Sequence, residues 1–405
     1  MRIENLTCGC TIVSPNYLPY ARTLANSFLR HHPGARFCVL IVARNFDKVI
    51  LQKEPFTPVT LDELGIPDLP HVAMKYDILE LNTNVKPSFL KHLFRATEAD
   101  QVIYLDPDIY IYQKLDPILN LLEASSVVLT PHITSPINDS NFSGEREFLS
   151  TGTYNLGFIA LRQSSIASQV LDWWESRCLK EGFNETRAGL FVDQKWVNLV
   201  PALFEGVALC KDVGCNMAYW NLHERLLENR DSRYYVNGKS SLKFFHFSGV
   251  DLDDSEQLSK YTKAFSLDSR PDLRSLFVDY RVEVVSNRDA SIDRIPYGFD
   301  RFSNGEKISQ LVRRLYAAST FNDADPFQDS GDFYAFVKSA KLLVSDTSEV
   351  KSSWKDFNPR DKRVLLAHKL LRAAMYVLGP AKYELLMKYL GHISVLREQV
   401  AIFKP

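Results

Sequence analysis

Two aspartates separated by a single proline, Asp106 and Asp108, are the residues of this sequence whose type and spacing most clearly suit chemistry. They follow the apolar segment QVIYL (101–105), whose β-branched and aromatic residues predict a central strand covered on both faces. Neighbouring carboxylates repel each other and lose hydration on burial unless a cation or hydrogen-bond donors hold them. The pair is therefore predicted to lie at the carboxyl end of the strand, where open α/β sheets bind ligands.

The carboxylate oxygens of this pair are the hard ligands that Mg²⁺ and Mn²⁺ prefer, usually together with a diphosphate that completes the coordination shell. A metal site at the end of the strand is thus one explanation of the pattern. Because Asp-Pro-Asp is also favourable in turns, a purely structural turn is the alternative.

The elements that must position the two carboxylates are predicted from hydrophobic periodicity. Apolar runs at 6–13 and 37–42 are typical of buried strands, and helical spacing between them predicts a βαβ unit. A helical region covers about 74–97, and a short apolar run follows at 125–130. Strands are predicted at 154–161 and 242–249, with helices at 165–182 and 193–204 between them. This alternation predicts a mostly parallel α/β sheet with flanking helices.

The sequence pattern changes near residue 270. Proline, aspartate and serine are frequent at 268–305, and helical patterns dominate from there onward. We therefore predict an α/β domain over residues 1–270 and a helical accessory region over 271–405. Residues 361–405 hold eight Lys and Arg against three Asp and Glu, in two helical stretches separated by Gly379-Pro380. A helical hairpin packed on the rest of the protein and a peripheral contact with an anionic membrane are the two explanations of this segment.

The composition narrows the class of protein. Of the 405 residues, 45% are hydrophobic and 24% are charged, which is typical of a folded globular protein. Because 48 Lys and Arg balance 49 Asp and Glu, a nucleic-acid partner is not expected. The six cysteines lack the spacing of a zinc site and are expected to be reduced thiols. The N-terminal segment lacks the pattern of a signal peptide and no run of about 18 apolar residues occurs, which predicts a cytoplasmic protein.

Several stretches, taken in order, resemble the GT-A nucleotide-sugar glycosyltransferases, and in particular the retaining glycosyltransferase family 8. YLDPDI (104–109) resembles the D-x-D metal site of that group, and FFHFSG (244–249) resembles its late histidine motif. TIVSPNYLPYARTLANSFLRHHP resembles the first strand and nucleotide-contacting turn of that family, and NTNVKPSFLKHLF resembles its helix with a basic residue. YNLGFIAL resembles its Asn-containing strand, and FVDQKWVNLV resembles its Asp-Gln segment. The resemblance covers about residues 7–260 and implies a GT-A (Rossmann-like) fold.

The resemblance also implies roles for individual residues. Asp106, Asp108 and His246 would bind Mn²⁺ or Mg²⁺, although a histidine in an aromatic strand is also typical of a hydrogen-bonded core. Asp193 and Gln194 would be catalytic residues beside the anomeric carbon, although both also suit the first turn of a helix. The implied donor-binding residues are Thr11, Val13, Tyr17, Lys86, Asp106, Asn155, Gly249 and Lys260.

The function implied by the resemblance is the metal-dependent transfer of a sugar from a nucleotide diphosphate sugar, with a UDP-sugar expected first, to a hydroxyl acceptor. A glycan or lipid-linked glycan acceptor, in bacterial surface polysaccharide or glycoconjugate synthesis at the inner face of the membrane, is the expected setting. Retention at the anomeric carbon is expected. An inverting transferase with Asp193 as general base and a catalytically silent nucleotide-sugar-binding subunit of an assembly complex are the alternatives.

Overall fold

A computed structural model describes residues 6–138, 144–231, 233–344 and 360–403 of the chain. The chain divides into two compact units, Met1–Leu69 with Ile78–Gly298 and Pro70–Asp77 with Phe299–Pro405. The units therefore separate between residues 298 and 299. The boundary near residue 270 remains a prediction from the change in sequence pattern.

The strands of the described residues include long buried members and short edge pairs. They are β1 (Thr7–Val13), β2 (Arg36–Ile41), β3 (Thr57–Thr60), β4 (Gln101–Leu105), β5 (Ile109–Ile111), β6 (Val127–Pro131), β7 (Tyr154–Arg162), β8 (Asn184–Glu185), β9 (Leu190–Phe191), β10 (Val207–Leu209), β11 (Leu227–Arg230), β12 (Arg233–Val236), β13 (Ser240–Ser241) and β14 (Phe244–His246).

The helices of the described residues flank these strands in the first unit and dominate the second. They are α1 (Leu18–His31), α2 (Leu69–Lys75), α3 (Ile78–Asn84), α4 (Lys86–Ala96), α5 (Asp116–Ala124), α6 (Arg146–Thr151), α7 (Ser165–Glu181), α8 (Gln194–Val197), α9 (Val200–Leu203), α10 (Arg274–Ser286), α11 (Gln310–Ala317), α12 (Asp332–Ser339), α13 (Lys362–Ile393) and α14 (Val400–Phe403).

A seven-stranded sheet organises the first unit in the order β10-β6-β7-β4-β1-β2-β3. Neighbouring strands are parallel except where β7 pairs antiparallel with β4 and β6. The predicted α/β class, a mostly parallel sheet with flanking helices, is thereby confirmed. Because β7 runs against β4, with Phe158 opposite Leu105, the beginning of β7 lies at the carboxyl end of β4.

Among the described residues, two clusters of apolar side chains account for much of the interior of the first unit. One cluster joins the central strands to α1 and α5 and includes the fully buried Phe28, Ile103 and Leu122. The other joins β14 to α10, where the rings of Phe247 and Tyr280 stack with centroids 3.7 Å apart. A strand was predicted over 242–249, but the hydrogen-bonded strand β14 covers three residues, as does its partner β5.

The second unit is organised around the helix α11. The guanidinium of Arg313 is buried and donates hydrogen bonds to the carbonyls of Ala73 and Met74 at 3.3 Å and of Phe299 at 2.5 Å. These bonds fasten the segment 70–77 to the beginning of the C-terminal part. Tyr316 packs its ring edge against Phe333, with centroids 4.7 Å apart. A buried arginine thus supplies donors for carbonyls at the ends of several short segments.

One helix of the described residues, α13, is long and apolar enough to cross a membrane by length and composition, and none of its most apolar window is buried. Gly379 lies within it at φ 75° and ψ 164°, followed by Pro380. A positive φ favours glycine and a proline cannot donate to the preceding turn, so the helix is broken into two arms at this point.

Candidate active site

The carboxyl end of β4 brings the two aspartates against a histidine from a distant part of the chain. The amide of Asp106 donates to the carbonyl of Gly157 at 2.7 Å, and β5 starts at Ile109 immediately after the Asp-Pro-Asp turn. Antiparallel pairing of β5 with β14 places His246 opposite Ile109. The short antiparallel pairing of β5 with β14 therefore positions the histidine beside both carboxylates.

The three side chains converge on one small volume. The His246 Nε2 lies 2.9 Å from Oδ1 of Asp108 and 3.9 Å from Oδ2 of Asp106, and the ligand atoms of the group all lie within 4.8 Å of one another. The histidine side chain is 3% exposed, whereas those of Asp106 and Asp108 are 31% and 23% exposed. Burial lowers the pKa of His246, but the facing carboxylates, Asp108 foremost, outweigh burial and leave the pKa raised.

The surroundings of this cluster fit a divalent cation. A Cβ at Gly157 would lie 2.4 Å from Cε1 of His246 and 2.8 Å from Oδ2 of Asp106, so this position leaves room for the cluster only as glycine. The hydroxyl of Tyr104 donates to Oδ1 of Asp106 at 2.7 Å and so orients that carboxylate, as outer-shell partners of metal ligands do. Two carboxylates and an imidazole nitrogen are a suitable donor set for a divalent metal ion.

Trp220 holds the ring of His246 by packing. The two rings meet edge to face at a centroid distance of 5.1 Å and an interplanar angle of 86°. Among the described residues, Nδ1 of His246 has no hydrogen-bond partner, so packing and the carboxylate at Nε2 set the orientation of the ring.

Lys86 and Asp193 form a buried ion pair close to the cluster. The Nζ of Lys86 lies 2.6 Å from Oδ2 of Asp193, and each side chain is 2% exposed. The ammonium also donates to the carbonyl of Leu156 at 2.7 Å and lies 4.3 Å from the ring centroid of Tyr104. Burial raises the pKa of Asp193 although Lys86 opposes it. The structure therefore brings these two predicted site residues together.

Gln194 is committed to the main chain. Its Oε1 accepts from the amide of Leu156 at 3.0 Å, and its Nε2 donates to the carbonyl of Thr151 at 3.2 Å. The side chain thus bridges the end of α6 and the beginning of β7, beside the predicted site residue Asn155.

Asn155 belongs to a buried polar network behind the cluster. Its Oδ1 accepts from Nδ2 of Asn216 at 3.1 Å, and its Nδ2 lies 3.3 Å from Nε2 of His132. Asn216 also donates to Oγ1 of Thr130 at 2.8 Å. Burial lowers the pKa of His132 to about 4. A neutral imidazole accepts the Asn155 amide, so the network fixes the start of β7 without adding a second positive charge beside His246.

Three predicted donor-binding residues lie along β1 and the turn after it. The side chains of Thr11 and Val13 are buried, and the carbonyl of Val13 accepts from the amide of Val42. Tyr17 is 42% exposed and stacks on Tyr20 with centroids 4.9 Å apart. Of this group, Tyr17 is the residue that presents a large side-chain surface to solvent.

Gly249 and Lys260 lie together although ten residues separate them in the sequence. The amide of Lys260 donates to the carbonyl of Gly249 at 2.9 Å. Gly249 has φ 74°, and a Cβ there would lie 2.6 Å from the ring of Tyr261. Both conditions require glycine at this turn. The ammonium of Lys260 lies 5.1 Å from the ring centroid of Tyr261.

Sequence reasoning did not single out the residues that support the cluster, namely Tyr104, His132, Gly157, Asn216 and Trp220. One signal was present for Gly157, because a glycine inside a strand pattern often marks a close approach of other groups. The asparagines and His132 carry no comparable local signal, since their task depends on partners far away in the sequence.

Comparisons with known proteins give distant relatives. No protein-family model matches the chain. The chain is similar to two uncharacterised proteins of Bacillus subtilis (strain 168). It is 27% identical to YfnF over 263 residues, which cover 63% of this chain and 86% of that protein. It is 25% identical to YfnD over 301 residues, which cover 73% of this chain and 93% of that protein.

Solved structures that are similar to the chain are glycosyltransferases. The glycosyltransferase GlyE of Streptococcus pneumoniae TIGR4 aligns with a TM-score of 0.41 at 14% identity, over 77% of this chain and 73% of that chain. The bifunctional glycosyltransferase WbbM aligns with a TM-score of 0.39 at 13% identity, over 71% of this chain and 52% of that chain. This chain therefore spans about half the length of WbbM. The galactosyltransferase LgtC, solved with donor and acceptor sugar analogues, aligns with a TM-score of 0.34 at 16% identity, over 52% of this chain and 76% of that chain.

Proposed function

We propose that this protein is a metal-dependent GT-A glycosyltransferase that moves a sugar from a nucleotide diphosphate sugar to a hydroxyl acceptor. The observation that carries the proposal is the convergence of Asp106, Asp108 and His246 within 4.8 Å at the carboxyl end of β4. That edge of an α/β sheet is where phosphorylated ligands bind. The order of the sequence motifs around this cluster supports the same assignment.

Asp106, Asp108 and His246 would hold the ion that stabilises negative charge on the leaving group. A divalent ion, Mn²⁺ or Mg²⁺, held by the cluster would act as a Lewis acid toward the diphosphate leaving group. Asp106 and Asp108 are partly exposed, so they can reach a ligand, whereas His246 is buried and contacts both carboxylates from the protein interior. Lys260 and Gly249 lie at one turn. The lysine ammonium and the glycine backbone, which has no side chain to block a ligand, both suit a phosphate.

Retention of configuration is the outcome that we propose. A general base for inversion must accept a proton from the acceptor hydroxyl, and Asp193 is the candidate. Its carboxylate is 2% exposed and paired with the Lys86 ammonium at 2.6 Å, so an incoming hydroxyl would have to displace Lys86 to reach it. In the retaining reaction the acceptor proton passes to the departing phosphate oxygen, and the roles of Asp193 and Gln194 are to stabilise positive charge at the anomeric carbon and to position that face of the site.

The donor and the acceptor are proposed at the level of chemical class. A UDP-sugar is the first donor to test, with Tyr17 offering an exposed aromatic face to the base, and a glycan or lipid-linked glycan of bacterial surface polysaccharide or glycoconjugate synthesis is the acceptor class. A cytoplasmic protein at the inner face of the membrane would have access to both.

A donor screen tests the proposal. The full chain is heated with UDP-, GDP- and dTDP-sugars, with and without Mn²⁺, and the melting temperature is recorded, because a ligand that binds only the folded state raises it. We expect one nucleotide class to raise the melting temperature only when the metal is present. For that donor, NMR of the anomeric proton in the product is expected to report the configuration of the donor. A catalytically silent binding subunit would bind the donor but release no free sugar during long incubation without acceptor.

A further inference from the structure

The helix α13 exposes an unusual amount of apolar surface. None of its most apolar window is buried. Leu366, Leu370 and Val377 are 57%, 63% and 83% exposed. Their spacing of four and then seven residues puts them on one face of a helix. Contiguous apolar surface of this kind marks a site of interaction with another surface.

A basic face accompanies the apolar one. Lys362, Lys369 and Arg372 follow one another at spacings of seven and three residues, which also places them on one face. Between Lys362 and Tyr383 there are five Lys and Arg and no Asp or Glu. A partner that covers this helix must therefore offer both an apolar environment and negative charge.

The break at Gly379 and Pro380 limits how α13 could associate with a lipid bilayer. The first arm, Lys362–Leu378, is about 26 Å long and the second, Pro380–Ile393, is about 21 Å long at 1.5 Å per residue. A spanning helix needs about 20 residues to cross a hydrocarbon core of about 30 Å. The second arm is too short to span and the first falls about 4 Å short of that thickness, whereas an amphipathic helix that lies in the interface has no such length requirement.

We propose that α13 binds the surface of an anionic lipid bilayer, with the apolar face of its first arm in the acyl boundary and the basic face of that arm toward anionic headgroups. This inference goes beyond the proposed transferase activity and does not depend on it. The lipid surface fits the helix better than a second copy of the chain does, because a copy would bring the same positive charge against it. The short segment Leu396–Gln399, which follows the second arm, contacts α11, so the arms remain attached to the second unit.

Vesicle sedimentation of the full chain tests the proposal. Substitutions are preferable to truncation because the segment after α13 packs on α11. The apolar variant carries Leu366→Ser, Leu370→Ser and Val377→Ser. Its matched control carries Val278→Ser, Val282→Ser and Val285→Ser, at positions of α10 that are 50%, 63% and 46% exposed. The charge variant carries Lys369→Gln and Arg372→Gln, with the exposed Lys211→Gln and Lys239→Gln as its control.

The expected result is binding to vesicles of phosphatidylglycerol and phosphatidylcholine, weak binding to pure phosphatidylcholine, and release in about 1 M salt, where charges are screened within a few ångströms. The apolar variant should bind roughly tenfold or more weakly, the charge variant should lose its preference for the anionic vesicles, and both controls should bind like the wild type.

Three results would overturn the proposal. The wild type could fail to sediment with anionic vesicles at low salt. The wild type could sediment equally with neutral and anionic vesicles, while the charge variant sediments like the wild type. It could form dimers in analytical ultracentrifugation that the apolar variant abolishes while neither protein binds vesicles, which would assign the face to a second copy. None of these readouts needs a sugar donor, so failure here leaves the proposed transferase activity to its own test.

Discussion

The ammonium of Lys86 lies 2.6 Å from the carboxylate of Asp193, and both side chains are 2% exposed. Lys86 is the first residue of α4, and Asp193 immediately precedes α8. The pair therefore joins two helix beginnings, and its ammonium lies 4.3 Å from the ring centroid of Tyr104, whose hydroxyl donates to Asp106. Removal of one partner from a buried ion pair leaves an uncompensated charge, and this defines the first prediction.

Lys86→Met should lower the free energy of unfolding by about 3–5 kcal/mol, because Asp193 is then buried alone. Lys91→Met is the matched control on the same helix, since Lys91 pairs with Asp172 and Glu175 but is 26% exposed. That control should cost less than about 1 kcal/mol. Urea unfolding followed by circular dichroism measures both. Equal losses for the two variants would contradict the assignment of a stabilising buried pair, and adding Asp193→Leu to Lys86→Met should recover part of the loss.

Gly157→Ala should abolish metal binding at the cluster. The new methyl group would stand 2.4 Å from Cε1 of His246 and 2.8 Å from Oδ2 of Asp106, so the histidine or the carboxylate must move. Isothermal titration with Mn²⁺ is the measurement. Gly391→Ala, where the added carbon meets nothing within 4 Å, is the control and should titrate like the wild type. Unchanged Mn²⁺ affinity in Gly157→Ala would show that the ion is not held at this place.

The stability of the protein should fall below neutral pH partly because of His132. Burial lowers the pKa of this side chain from 6.5 to about 4. The unfolded chain takes up a proton here as the pH drops below about 6.5 and the folded chain only near pH 4, so the contribution is complete above pH 6.5 and is lost toward pH 4. The loss is on the order of 3 kcal/mol. In urea unfolding across this range, His132→Gln should show a shallower slope, and an unchanged slope would refute the assignment.

Tyr17→Ala should raise the KM for the nucleotide-sugar donor by roughly tenfold, because stacking of a base on an aromatic ring is worth about 1–3 kcal/mol. Tyr17 is 42% exposed, so kcat and the melting temperature should change little. This prediction rests on the proposed function. Tyr376→Ala, in α13 and 77% exposed, is the control for loss of an exposed tyrosine. A fall in kcat with KM unchanged would place Tyr17 outside the donor site.

Much of the sheet could be predicted from local sequence patterns. The segment 101–105 coincides with β4 because an uninterrupted apolar run between polar residues is typical of a strand buried on both faces. The direction of β7 could not be predicted, since it depends on pairing with β4 and β6 and leaves no mark on the pattern of YNLGFIAL. The helix expected over 193–204 is observed as two short helices, α8 and α9, with Pro201 at the second position of α9.

The candidate site shows the same division. The motif order grouped Asp106, Asp108 and His246, and the structure brings their ligand atoms together. The pairing of Lys86 with Asp193 and the commitment of Gln194 to two backbone groups depend on contacts between segments that are distant in sequence. Periodicity carries no information about such contacts, and the donor-binding and catalytic roles of these residues remain predictions.

Metal-dependent turnover of the donor is the measurement that tests the central claim most directly. The wild type, Asp108→Asn and the control Asp116→Asn, whose carboxylate is 53% exposed at the beginning of α5, are assayed for release of nucleoside diphosphate from the donor with Mn²⁺ and with EDTA. We predict turnover by the wild type and the control only with Mn²⁺. Asp108→Asn should lose at least about a hundredfold, since even outer-shell partners of a metal site contribute about 10- to 100-fold. Full turnover in EDTA, or by Asp108→Asn with Mn²⁺, would contradict the account.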